Sequence, residues 1–167
     1  MLTVVFAHGK ESGPWGTKIR KLAKTATDLG CEVVSVDFTS TQDPDERIGI
    51  LKQALNLVEG PLILVGSSMG AYVVTVASAE VAPVAMLLLA PAFYLPGYVE
   101  QNPVPHCDRT LVVHGRYDEV VPVANVLRFC RRHNIDPQLM EDGHQLLNSL
   151  PRIDKLFRGM LEEILCS

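Results

Sequence analysis

The chain has 167 residues, of which 47% are hydrophobic and 20% charged, and this composition excludes a largely disordered protein. Its net charge of −4 gives no electrostatic reason to expect nucleic-acid binding. No stretch approaches the roughly 20 consecutive apolar residues of a membrane span. We therefore expect a single globular domain over residues 1–167, with no nucleic-acid partner and no membrane partner.

The cysteines and the amino-terminal segment bear on compartment and cofactors. Residues 1–9 lack a basic flank and read as a first strand rather than a signal peptide, which predicts a cytoplasmic protein. Neither of the glycine patterns typical of nucleotide loops occurs, so we expect no nucleotide cofactor. The four cysteines form no C-x-x-C pair and have no zinc-site spacing, so we also expect no metal: Cys31, Cys107, Cys130 and Cys166. The oligomeric state stays open.

Apolar runs and helical periodicity alternate along most of the chain. Strands are predicted at residues 2–7, 31–38, 62–65, 84–90, 110–114 and 135–141. Helices are predicted at residues 19–29, 44–58, 71–81, 122–133 and 153–164. Asp43 is placed to cap the second helix, with Glu46 completing a capping box. Continuous apolar strands joined by helices predict a three-layer α/β/α sandwich around a mainly parallel sheet of about six strands.

The segment 66–70 reads Gly-Ser-Ser-Met-Gly and lies between a predicted strand and a predicted helix. The pattern G-x-S-x-G in this context is typical of a nucleophile elbow, a sharp turn that exposes its central serine at the end of the strand. Ser68 is therefore the candidate nucleophile. A glycine- and serine-rich turn without any chemistry is the alternative that the pentapeptide alone leaves open.

A serine hydroxyl requires a general base, commonly a histidine oriented by a carboxylate. Asp118 follows the fifth predicted strand and His144 follows the sixth, so both lie at the same edge of a parallel sheet as Ser68. Asp142 and Glu119 are rival acids. Asp118 is preferred because Asp142, two residues before His144 on one loop, is poorly placed to reach the far nitrogen of its ring, and Glu119 is interpreted as solvent-facing. The remaining strand-end histidines, His8 and His114, are interpreted as loop-packing residues.

Four short motifs occur in one order along the chain: His8-Gly9 after the first strand, the elbow at 66–70, a loop at 114–122 and Asp-Gly-His at 142–144. In this order they resemble a small α/β-hydrolase-fold serine hydrolase, esterase- or thioesterase-like and without a cap domain. The resemblance covers nearly the whole chain and implies a minimal α/β-hydrolase fold. The order of Asp142 and Gly143 is the reverse of a common family pattern, and the additional first strands of fuller members are missing.

The resemblance assigns roles to individual residues. It implies that Ser68 is the nucleophile, His144 the base and Asp118 the acid that orients it. The backbone amides of Lys10 and Met69 are implied to form the oxyanion hole. The expected reaction is cleavage of a small carboxylic ester or thioester through an acyl-serine. A non-catalytic binding module of the same fold, or an acyltransferase using the same three side chains, is the alternative.

The irregular segment 91–108 is the only place for a substrate cover. It is too short for an independent cap, so we expect a shallow cleft that favours acyl groups of roughly two to six carbons. Four aromatic residues could line an acyl pocket or fill the core, and the sequence leaves both options open: Trp15, Phe93, Tyr94 and Tyr98.

Overall fold

The computed structural model describes all residues from 1 to 167 and contains one sheet of six parallel strands. The strands are β1 (Thr3–Ala7), β2 (Glu32–Val36), β3 (Leu62–Ser67), β4 (Ala85–Leu89), β5 (Thr110–Gly115) and β6 (Gln138–Met140). Their order across the sheet is β2-β1-β3-β4-β5-β6. The predicted parallel sheet is confirmed, and β1 and β3 lie next to each other near its middle.

Five helices cover the two faces of the sheet. They are α1 (Thr17–Asp28), α2 (Pro44–Leu55), α3 (Met69–Val81), α4 (Val123–Arg132) and α5 (Leu150–Leu165). The buried faces of α1 and α5 pack with one set of strand side chains, Val4 and Ile63 among them. Those of α2, α3 and α4 pack with the alternate set, which includes Val5 and Leu64. Because side chains alternate along each strand, the two cores lie on opposite faces and the predicted three-layer sandwich is confirmed.

The start of α2 shows how local sequence fixes a helix. The Asp43 carboxylate accepts hydrogen bonds from the amides of Asp45 and Glu46, at 2.8 and 3.1 Å. Pro44 occupies the first turn, where its missing amide hydrogen costs nothing. The expected reciprocal bond from Glu46 is replaced: the Asp43 amide donates to the Thr41 hydroxyl, which in turn donates to the Glu46 carboxylate.

Element boundaries differ from the predicted ones at the edges of the sheet. The sixth strand begins at Gln138 rather than at residue 135. Asn134 adopts a left-handed conformation with φ 55°, and the amide of Ile135 donates to the carbonyl of Cys130 at 2.8 Å. These residues complete the end of α4 and cannot also pair with β5. The helix predicted to reach residue 58 ends at Leu55.

The segment 90–109 joins β4 to β5 without forming a helix. It is attached to α2 and α3: the amide of Val99 donates to Asp45, and the amide of Glu100 donates to the Tyr72 hydroxyl. The Tyr72 hydroxyl itself donates to Asp45 at 2.7 Å. The segment therefore rests on the helices beside the strand ends. No helix in the structure combines the length and apolar character needed to cross a bilayer.

Candidate active site

Ser68 lies in a strained turn between β3 and α3. Its backbone has φ 55° and ψ −116°, a positive-φ conformation that a serine rarely adopts. Neighbouring glycines permit it: a Cβ on Gly70 would lie 1.9 Å from the carbonyl oxygen of Ala7, and one on Gly66 would lie 2.5 Å from the Cα of Ala71. The close approach of helix and strand therefore depends on both glycines.

A chain of hydrogen bonds joins three side chains that come from different strand ends. The Ser68 Oγ lies 2.9 Å from His144 Nε2, and His144 Nδ1 lies 2.7 Å from the Asp118 Oδ2. The carboxylate can only accept, so Nδ1 carries the hydrogen and Nε2 is free to accept from the Ser68 hydroxyl. In this arrangement the imidazole is poised to remove the serine proton.

Asp118 is fully buried at its side chain. Its second oxygen, Oδ1, accepts hydrogen bonds from the amides of Val120 and Val121, both at 2.8 Å. Burial alone would raise the pKa of Asp118, but the hydrogen bonds from His144 and from these two amides outweigh it and lower the pKa below its ordinary value. Asp118 is therefore ionised near neutral pH, as an acceptor for the imidazole.

The rival acids have other positions. Asp142 accepts the amide of Gly143 at 2.8 Å with one oxygen, and with the other it accepts both the amide and the hydroxyl of Ser149 at 2.9 Å. It thus fixes the turn that leads into α5. Glu119 is exposed to solvent. His114 is fully buried and donates from Nε2 to the carbonyl of Val121 at 3.0 Å, which braces the loop that carries Asp118.

The two amides predicted for the oxyanion hole lie beside Ser68. Lys10 and Met69 both border the cleft that contains Ser68 and His144. The Lys10 amide donates to no other group of the protein. Met69 is the first residue of α3, where an amide has no partner within the helix and the helix dipole favours negative charge. Both donors are thus available to a ligand.

The cleft over Ser68 has a volume of about 600 Å³. Its walls come from the loops after β1, β4, β5 and β6 and from the first turn of α1, with the following residues among them: Lys10, Lys18, Leu95, Tyr98, Val120 and Leu147. No three His, Cys, Asp or Glu side chains meet anywhere in a group that could hold a metal ion.

Of the four aromatic candidates, only Tyr98 borders this cleft. Trp15 is 51% exposed and lies outside the cleft walls. Phe93 is fully buried and stacks on Phe129 at a centroid distance of 4.2 Å, so it belongs to the core. Tyr94 lies under the guanidinium of Arg128, 4.0 Å from its ring centre. The pocket role considered for Trp15, Phe93 and Tyr94 is therefore wrong for this cleft.

Sequence reasoning did not single out Lys18, which also borders the cleft. Its ammonium donates to the carbonyl of Gln145 at 2.8 Å, which ties α1 to the loop that carries His144. Burial lowers the pKa of Lys18, although Asp142 and Asp118 act in the opposite direction. The only available signal was its position directly after the glycine-rich loop that follows β1.

Comparison with known proteins shows which family the sequence of this chain matches. Residues 4–160 match the sequence model described as the alpha/beta hydrolase family. No curated protein sequence matches the chain. Among solved structures, a protein of Xanthomonas campestris pv. campestris assigned to the alpha/beta superfamily of hydrolases is 28% identical, with a TM-score of 0.87 over 96% of this chain and 98% of that one.

Two more distant structures share the fold. One is a serine hydrolase without a lid from Xanthomonas campestris, 22% identical with a TM-score of 0.79 over 97% of this chain and 81% of that one. The other is an esterase from Pyrococcus furiosus, 19% identical with a TM-score of 0.83 over 96% of this chain and 82% of that one. The compact α/β-hydrolase fold expected from the motifs is thus confirmed.

Proposed function

Because the chain belongs to the alpha/beta hydrolase family, we propose that it is a serine hydrolase that cleaves small carboxylic esters or thioesters through an acyl-serine intermediate. The observation that carries the proposal is the hydrogen-bonded chain from the Ser68 hydroxyl through His144 to Asp118. Such a chain is the arrangement that activates a serine for attack on an acyl carbon. The esterase among the structural neighbours is consistent with this reaction class.

The first half of the proposed reaction forms the acyl-enzyme. Ser68 Oγ attacks the acyl carbon while its proton passes to His144 Nε2. The amides of Lys10 and Met69 donate to the developing oxyanion. The tetrahedral intermediate then collapses, His144 gives its proton to the leaving oxygen or sulfur, and an alcohol or thiol departs. Asp118 stabilises the imidazolium that exists between these proton transfers.

The second half removes the acyl group. Water gives a proton to His144 Nε2 and attacks the acyl carbon of the ester on Ser68. Collapse of the second tetrahedral intermediate breaks the bond to Oγ, which takes the proton back from His144. The products are a free carboxylic acid and the original serine. The cleft opens to solvent, so water has direct access to the acyl-serine.

The decisive test is active-site labelling with a fluorophosphonate probe, combined with turnover of p-nitrophenyl esters and acyl-CoA thioesters. We expect the wild type to be labelled and to turn over at least one substrate series, and Ser68→Ala to lose both properties. Ser67→Ala is the matched control, since Ser67 is the last residue of β3 and its hydroxyl makes no hydrogen bond to His144, which bonds Ser68 instead. An unlabelled, inactive wild type would leave the binding-module alternative.

We propose in addition that the protein works in the cytoplasm as a single domain over residues 1–167, on a small-molecule substrate. Its four cysteines are unpaired, which suits a reducing compartment. Fluorescence microscopy of a tagged full-length chain tests the location, and labelling confined to membranes or to the cell exterior would contradict it.

A further inference from the structure

Arg47 is the largest fully buried side chain of the molecule, and it is the only Lys, Arg, Asp or Glu residue that is buried as a whole, with an exposure of 1%. Its guanidinium has no carboxylate within ion-pair distance: its hydrogen bonds go to backbone carbonyls only, and it lies over the Phe38 ring, 5.4 Å from the ring centre. Nε donates to Thr41 at 2.9 Å, while Nη1 donates to His8 at 3.2 Å and to Gly9 at 3.1 Å. An arginine buried without a counter-ion is costly to fold. Because Arg47 is nevertheless present on the apolar face of α2, we expect its hydrogen bonds to these backbone carbonyls to serve a function.

The carbonyl of Gly9 receives a second donor. His8 Nδ1 lies 2.7 Å from it and, because a carbonyl only accepts, this nitrogen carries the hydrogen. The other ring nitrogen, Nε2, accepts the amide of Phe38 at 2.9 Å and is therefore unprotonated. Burial lowers the pKa of His8, which keeps the ring in this neutral form. Arg47 and His8 thus both donate hydrogen bonds to the Gly9 oxygen from its buried side.

This carbonyl belongs to the peptide unit that contains the Lys10 amide. The unit is trans and planar, so its N–H points away from its C=O. The peptide lies against the nucleophile, since a Cβ on Gly9 would be 3.6 Å from the Cβ of Ser68. Two donors on the Gly9 oxygen from the buried side therefore direct the Lys10 N–H towards the cleft.

We propose that Arg47 is a positioning residue for the oxyanion hole: by holding the Gly9 carbonyl inside the protein, it keeps the Lys10 amide aimed at the oxygen of the transition state. This inference rests on the proposed hydrolase function. In this role Arg47 affects the chemical step rather than substrate binding, because the oxyanion forms only after attack by Ser68. Without the guanidinium, rotation of the Gly9–Lys10 peptide can turn the amide out of the site.

The test compares Arg47→Met with wild type in kcat, KM and inhibition by phenylboronic acid, which forms a tetrahedral adduct with an active-site serine. Loss of one oxyanion donor lowers kcat by about 10²- to 10³-fold in other hydrolases, and a misaimed donor should cost about 10- to 100-fold. We expect KM to change by less than about threefold, and the inhibition constant of the boronic acid to rise with the loss in kcat.

Arg128→Met is the matched control, because the Arg128 guanidinium stacks on Tyr94 and does not border the cleft. Its kcat and boronic-acid affinity should equal those of the wild type. If Arg47→Met does not fold, Arg47→Lys is the variant that tests the proposal. A lysine ammonium cannot reproduce the planar set of N–H donors of the guanidinium, so kcat should still fall by at least about fivefold.

Other results separate this inference from the function on which it rests. A folded Arg47→Met or Arg47→Lys protein with wild-type kcat and boronic-acid affinity overturns the positioning role alone. A rise in KM with unchanged kcat also overturns it. A wild type that neither reacts with a fluorophosphonate nor turns over esters or thioesters defeats the hydrolase function and this inference together.

Discussion

At Asp118 a single carboxylate divides its two oxygens between a loop and an imidazole. Oδ1 accepts the amides of Val120 and Val121, and Oδ2 accepts His144. Asp118→Asn keeps the shape of the side chain but can offer an N–H to His144 Nδ1. The imidazole would then carry its hydrogen on Nε2 and could not accept the Ser68 proton. We expect kcat to fall by orders of magnitude, towards the ~10⁴-fold loss seen for the same change in a serine protease.

Asp142→Asn is the control for this experiment. Asp142 accepts from Gly143 and Ser149 and has no bond to the imidazole, so its replacement should affect stability more than kcat. Thermal unfolding and steady-state kinetics measured on both variants separate the two effects. Large damage to kcat from Asp142→Asn, with little from Asp118→Asn, would reverse the assignment of the acid.

Single residues differ in how far sequence could identify them. Ser68 and Asp118 follow strands in local patterns, so their positions could be read from the chain. Phe93 and Tyr94 lie in an irregular segment. Without helical or strand periodicity, the sequence does not predict which side chains of this segment point into the core. The positions of these two rings depend on contacts with α4, which is distant in the sequence. Arg47 did carry a signal, because it lies next to Ile48 and one turn before Leu51 on the face that α2 buries.

At the scale of elements, the contact between the first turn of α3 and the end of β1 leaves no space for a side chain at Gly70. A Cβ there would lie 1.9 Å from the carbonyl oxygen of Ala7, which is backbone and cannot move aside cheaply. Gly70→Ala should therefore lower the free energy of unfolding by a few kcal/mol and displace Ser68 from His144. Chemical denaturation and p-nitrophenyl ester turnover measure the two effects.

Gly159→Ala is the control for Gly70→Ala, because it makes the same change within another helix. Gly159 lies inside α5, and outside the neighbouring backbone of that helix no atom lies within 4 Å of an added Cβ. Replacement should raise the free energy of unfolding by about 0.5–1 kcal/mol through helix propensity, with turnover unchanged. A Gly70→Ala protein as stable and as active as this control would mean that the turn is not a tight elbow.

The predictability of the elements follows from how much burial each one has. The central strands β3 and β4 are buried at every position, so their apolar runs marked them well. Strands β2 and β6 pair on one side only and have partly exposed residues, which left their ends undefined by hydrophobicity. Helix α3 begins at Met69, inside the elbow motif, because the motif itself supplies its first turn.

For the whole molecule, we expect two buried histidines and one half-buried histidine to limit stability in acid. Burial is the main cause that lowers the pKa of each of three histidines below the ordinary value of 6.5: His8, His114 and His133. The unfolded chain therefore binds more protons than the folded one once the pH falls below about 6.5. Stability is complete above that value and is lost as the pH falls through the lowered pKa values.

We accordingly expect the free energy of unfolding, measured with urea, to be lower at pH 5.5 than at pH 7.5. Each histidine can contribute at most about 1.4 kcal/mol per pH unit. Carboxylates titrate lower and contribute little in this window. His114→Asn should flatten the dependence, whatever its effect on absolute stability. Equal unfolding free energies at the two pH values would contradict a role for the buried imidazoles.

The shape of the entire substrate-facing edge determines which acyl groups the proposed hydrolase should prefer. The cleft has an apolar rim formed by Val120 and Leu147, which remain 60% and 45% exposed, while Phe93 lies behind it in the core. A long chain laid across such a rim stays largely in water. Each fully buried CH₂ is worth about 0.8 kcal/mol, or about a fourfold gain in kcat/KM, and only the first few carbons can obtain it.

We therefore expect kcat/KM for p-nitrophenyl esters to rise from acetate to about hexanoate and then to level off or fall. Val120→Ala and Leu147→Ala should reduce the gain between acetate and hexanoate while leaving acetate turnover within about twofold, since neither side chain takes part in the hydrogen bonds that join Ser68, His144 and Asp118. A steady rise through decanoate would require a closed acyl tunnel, which the exposed rim does not provide, and the expected preference for short acyl groups would then be wrong.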